Sequence, residues 1–149
     1  MTSEFQNIFS LFLSSVEDYE FINISEADFE DIMTEYLQRG ISMPHLRYAF
    51  KILKIDRNNQ LIEWELKNAI DEFSDSFFVE ELIIKSILCK WLEKQVYTQN
   101  LLNHFVGTSK EKLYSQSSHL AQMNSLLKDT EHELRYMLSI HGYLNTPMN

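Results

Sequence analysis

Five histidines, one cysteine, a serine cluster and an amide-rich run are the parts of this 149-residue chain whose residue types could do chemistry. His45, His104, His119, His132 and His141 include no i, i+4 pair with an intervening Glu, so the helical zinc-protease arrangement is absent. Glu131-His132-Glu133 reads as a solvated helix face rather than a metal site. Ser115, Ser117 and Ser118 lack the elbow motif that presents a nucleophilic serine. Three scattered glycines cannot build a phosphate-cradling loop. Cys89 lies among Ile87, Leu88, Trp91 and Leu92, the setting of a small buried side chain rather than an activated thiolate. On these absences the chain is not expected to be an enzyme. What remains is the polar loop Asp56-Arg-Asn-Asn-Gln60, set between two apolar-periodic stretches in the order that a calcium-binding hairpin requires.

Those stretches predict helices. Leu46, Ala49, Phe50 and Leu53 fall at i, i+3, i+4 and i+7 before the loop, and Leu66, Ala69, Ile70 and Phe73 repeat the spacing after it. Upstream, Phe5, Ile8, Phe9 and Phe12 form another helical face. Ser25-Glu-Ala-Asp28 opens a fourth, which continues through Phe29, Ile32, Met33, Tyr36 and Leu37 to a C-cap at Gly40. Between the two units, Ser42 is read as an N-cap and Pro44 as a first-turn residue.

With two helix–loop–helix units in tandem, residues 3–73 resemble the EF-hand superfamily, as a degenerate calmodulin-like or light-chain-like pair. The resemblance implies a twelve-residue loop in which Asp56, Asn58, Gln60 and Glu65 are the metal ligands and Asn59 takes the turn position. Lys54 stands at the first ligand position. Its ammonium accepts no hydrogen bond and repels a divalent ion, and Arg57 adds a second positive charge, so the loop is expected to stay empty with Lys54 satisfying Asp56 or Glu65. No cofactor is therefore expected. The other loop, Leu13 to Asp28, is about four residues too long for the family pattern and offers Glu17, Asp18 and Glu20. The resemblance also implies an apolar groove that holds a partner helix, with Met33 and Trp64 as candidate contacts, although Trp64 and Trp91 are read first as core anchors and only secondarily as interface residues.

The second half carries no further loop of this kind. Phe78, Leu82, Ile84, Ile87, Leu88, Trp91, Leu92 and Leu101 run without Gly or Pro across residues 77–106, predicting one long helix or two abutting ones. Gly107 breaks the pattern, Thr108 and Glu111 have capping-box spacing, and a last helix is predicted to about His141. In it Leu113, Leu120, Leu127 and Leu134 are seven apart, with Gln116, Met123, Thr130 and Met137 interleaved. This is either an imperfect coiled-coil seam or a long amphipathic core helix. Leu120, Leu127 and Leu134 are candidate partner contacts on the first reading. The expected fold class is all-α, an EF-hand-like lobe over 1–74 followed by an antiparallel helical hairpin over 75–149.

Charge narrows the partners. Residues 1–73 carry 14 acidic and 6 basic side chains (−8), and residues 74–149 carry 8 and 7 (−1), summing to the net −9. Neither half offers a basic stripe for nucleic acid or an anionic membrane. No run of apolar residues long enough to span a membrane is present, and one cysteine cannot form an internal disulfide. A cytoplasmic protein is expected. The function expected is a non-catalytic adaptor or light-chain-type subunit that binds a partner helix or a multi-subunit assembly independently of calcium. A calmodulin-like calcium sensor and a coiled-coil component of a cytoskeletal or ciliary assembly are the alternatives.

Overall fold

The segment Leu61-Ile-Glu-Trp-Glu-Leu66 alternates apolar and acidic residues, a period of two that suits a strand with one buried face. The computed structural model, which describes residues 1–15, 26–105 and 110–144, folds it that way. The elements run β1 (Thr2–Glu4), α1 (Phe5–Ser15), α2 (Glu26–Ile41), α3 (Pro44–Arg47), β2 (Phe50–Asp56), β3 (Leu61–Leu66), α4 (Glu72–Phe105) and α5 (Lys110–Leu144). The strands form an antiparallel sheet in the order β1-β3-β2.

The sheet corrects the all-α expectation. Where two helices were expected to flank a calcium loop, β2 and β3 pair directly, with Leu53 opposite Trp64 and Asp56 opposite Leu61. The spacing of Leu46, Phe50 and Leu53 suits a helix face, but only Pro44–Arg47 is helical, and it is a single turn. Ile62, Trp64 and Leu66 are buried while Glu63 and Glu65 are exposed, so the two-residue period prevails over the coarser three-to-four spacing. Behind β3, Ala69, Ile70 and Phe73 are all exposed rather than one buried face. A register irregularity between Phe50 and Ile52 admits Lys51 as an extra residue in β2.

The chain's first residues close the sheet. Trp64 donates its backbone N–H to the Met1 carbonyl at 2.8 Å, and the N-terminal ammonium donates to the Trp64 carbonyl at 3.1 Å. The Trp64 indole N–H donates to the Ser3 hydroxyl at 3.0 Å in the buried layer, which satisfies both polar groups.

Helix α4 is the centre of the molecule. From Val79 to Leu92 its residues are buried or half-buried on every side, the signature of a helix packed all round. Helices α1 and α2 pack on it, and α5 runs antiparallel along it, as Phe78 stacking on His141 at 4.2 Å and Lys85 pairing with Glu133 at 2.8 Å show. Buried side chains from Phe5 to Leu134 form one cluster. The boundary expected at 74/75 thus falls in the first turn of α4, and buried residues on both sides of it share that cluster.

Two caps differ from expectation. Gly40 lies inside α2 rather than ending it, buried where α2 meets α4. Met43, not Ser42, is the N-cap of α3, and the Ser42 hydroxyl donates instead to the Gln38 carbonyl at 2.6 Å. Pro44 does open α3. The long first loop and the break at Gly107 and Thr108 lie largely or wholly outside the described residues.

Candidate functional site

The four residues expected to hold a metal do not converge. Asp56 ends β2 opposite Leu61, whereas Glu65 lies four residues along β3, about 13 Å away at strand rise. Calcium needs its oxygens roughly 2.3–2.6 Å from one point. Asp56 instead accepts hydrogen bonds from the Asn59 backbone at 3.2 Å and side chain at 2.8 Å, closing the turn. These two bonds hold the Asp56 carboxyl below the usual carboxylate range, the side-chain bond contributing most. Asn58 is exposed on the turn. The left-handed position falls on Gln60, at φ 54°, not on Asn59. Gln60 offers its carbonyl to the Phe5 N–H at 3.0 Å, tying the turn to α1. Glu65 lies 3.8 Å from Lys51 rather than beside Lys54, and Lys54 stands across the ladder from Glu63. Among the described residues, no group of three or more His, Cys, Asp or Glu side chains is placed to hold a metal ion.

The residues expected to meet a partner are mostly internal. Met33, Trp64 and Leu134 are buried, and Leu120 and Leu127 are half-buried, Leu127 packing against the core. The heptad of α5 therefore faces this chain's own α4 over its described part. Thr130, an interleaved seam position, is buried with its hydroxyl donating to the Leu126 carbonyl at 2.7 Å.

One concavity, about 770 Å³, is a groove between α2, α3 and α5 floored by α4. Its charges balance: Glu35, Glu93 and Glu131 against Arg39, Lys90 and Arg135. Arg39 pairs with Glu35 at 2.6 Å and Lys90 with Glu93 at 3.3 Å. Ser42 is committed to the Gln38 carbonyl, so this wall presents no activated nucleophile.

A different surface stands out at the start of α4. Phe73 is 85% exposed, Phe77 65% and Ile70 58%. Phe73 and Phe77 are one helical turn apart, and they line a shallow depression of about 480 Å³ with Glu72, Ser76 and Glu80. At 100° per residue, Phe77 points about 160° away from the buried Val79, so its exposure follows from the register of the helix.

The ledge is held firmly. Asp71 accepts from the Ser74 N–H at 2.7 Å and the Ser74 hydroxyl at 3.0 Å, capping α4, and these bonds lower its carboxyl below the usual range. Asp75, buried, accepts the Ile70 N–H at 3.1 Å on both oxygens and pins the incoming chain. On the other side the Asn7 amide donates to Glu80 at 3.2 Å. Sequence reasoning missed this site because it assigned Phe73 to a buried helical face. The available signal was Phe73 and Phe77 at i, i+4, off the face set by Val79, Leu82, Ile83 and Ser86.

Comparison with protein-family models, with curated proteins and with solved structures returns no match.

Proposed function

We propose that this chain is a non-catalytic adaptor subunit that docks a protein partner on the Phe73–Phe77 ledge, with no part for calcium. The observation that carries the reading is the ledge itself: two phenyl rings in water on a capped, rigid helix start. Full burial of one phenylalanine side chain is worth about 1.5–3 kcal/mol, so a partner covering both gains several kcal/mol before any polar contact. Among the described residues the other largely exposed aromatics, Tyr48, Tyr97 and Tyr136, carry a hydroxyl, and Lys67 lies over the Tyr48 ring at 5.7 Å. The phenylalanines have no polar group to justify their exposure. The charge-balanced groove and the turn-closing role of Asp56 leave binding, not chemistry, as the work these surfaces suit.

The test compares wild type with a Phe73→Ser, Phe77→Ser double variant. Both side chains are exposed, so the variant should keep its helical circular dichroism and melting temperature. Affinity capture from cells that make the protein is expected to recover a stoichiometric partner with wild type and to lose it with the variant. Equal recovery by both proteins overturns the proposal.

A further inference from the structure

We infer that the occupant of the ledge is an amphipathic helix with a basic polar face, a conclusion that rests on the adaptor reading and specifies its partner. The argument is charge complementarity at fixed spacing. Glu72 and Glu80 stand at the two ends of the depression, with Phe73 and Phe77 between them. Eight residues of helix separate the two carboxylates by about 12 Å along the axis. A partner helix lying along α4 meets that pattern with two apolar residues one turn apart, flanked by Lys or Arg about eight residues apart.

The surroundings extend the same sign. Across residues 71–81, Asp71, Glu72, Asp75, Glu80 and Glu81 are accompanied by no Lys or Arg. Of these, Asp75 is buried, and the rest give the ledge a field that steers a cationic partner toward it and weakens with salt.

The same charges argue against the other occupants. A second copy packing about a two-fold axis sets the ledge against itself and brings Glu72 of one copy toward Glu80 of the other, between molecules of net charge −9. An anionic membrane meets two carboxylates lining the same depression as the phenyl rings.

The probe is a labelled Leu/Lys peptide of about 18 residues with helical apolar spacing, long enough to fold on the surface. Its counterpart replaces every Lys with Glu. Fluorescence anisotropy with the full chain is expected to show the Leu/Lys peptide binding at low salt, weakening as salt rises, and the Leu/Glu peptide not binding. Phe77→Ser should reduce the affinity about tenfold or more. A Glu72→Lys, Glu80→Lys variant should reverse the preference, taking the Leu/Glu peptide and releasing the Leu/Lys one. Leu/Lys binding that ignores both variants overturns the inference. So does Phe77-dependent dimerisation in sedimentation, or Phe77-dependent binding to phosphatidylcholine vesicles. Partner capture that needs Phe77 but survives the double charge reversal overturns the basic helix and leaves the adaptor reading standing, whereas capture independent of Phe77 removes that reading itself.

Discussion

Gly40 is a residue whose importance comes from what it lacks. A Cβ built there meets the Ser86 hydroxyl oxygen at 2.7 Å and the Ser86 and Ile87 backbone at 3.1 and 3.2 Å. Ser86 cannot easily yield, because it is buried and its hydroxyl donates to the Ile83 carbonyl at 2.7 Å. Alanine gains up to about 1 kcal/mol in helix propensity, but overpacking against a fixed backbone costs about 1–3 kcal/mol. Gly40→Ala is therefore expected to lower the stability read by urea denaturation, and Ser86→Ala to recover part of the loss in the double variant. Cys89 offers a second residue-scale prediction. Burial, with Glu131 and Glu93 adding to it, pushes its thiol up to about 11. Because the folded value is raised, the stabilisation from the neutral thiol is complete below its ordinary value near 9 and fades as pH climbs toward 11. A disulfide reagent at pH 8 should leave Cys89 unmodified in the native protein and react fully once urea unfolds it.

At the scale of elements, the seam between α4 and α5 is graded, and the grading is testable. Leu134 is buried, Leu127 half-buried and Leu126 48% exposed. Leu134→Ala should cost about 2–5 kcal/mol, Leu127→Ala less, and Leu126→Ala under about 1 kcal/mol, all read from denaturation midpoints. Equal effects at the three positions would show that α5 is turned differently against α4. The helices of this hairpin were legible in the sequence because the first arm is a long apolar run without Gly or Pro and the second carries leucines every seven residues. The short elements were not. Leu46, Phe50 and Leu53 fit a helical spacing, yet a stretch of eight residues also satisfies a strand, and the choice was made by Trp64, Ile62 and Leu66 needing one buried face. β1 could not be read locally at all, since Thr2–Glu4 becomes a strand only by pairing with β3 some sixty residues away. Gly40 was read as a helix end, whereas it lies inside α2 and its lack of a side chain answers to the contact with Ser86.

At the scale of the whole molecule, α4 links the parts. Its middle is packed from Val79 to Leu92, with Trp91 and Leu92 among the buried side chains, and its first two turns lift Phe73 and Phe77 away from that core. No described helix is long and apolar enough to cross a membrane. The candidate site was therefore only half legible: the phenylalanines were visible, but their exposure depended on where α4 begins and which face its neighbours take. Asp71 and Asp75 set that beginning, one by capping the helix and the other by gripping the Ile70 N–H. The most direct measurement of the central claim places a benzoylphenylalanine photo-crosslinker at Phe77 in cells, with the same group at the exposed Tyr48 as a control for collisional labelling. Docking on the ledge predicts one discrete, higher-mass adduct from position 77 that is absent from position 48. No adduct from position 77, or the same adducts from both positions, would contradict it.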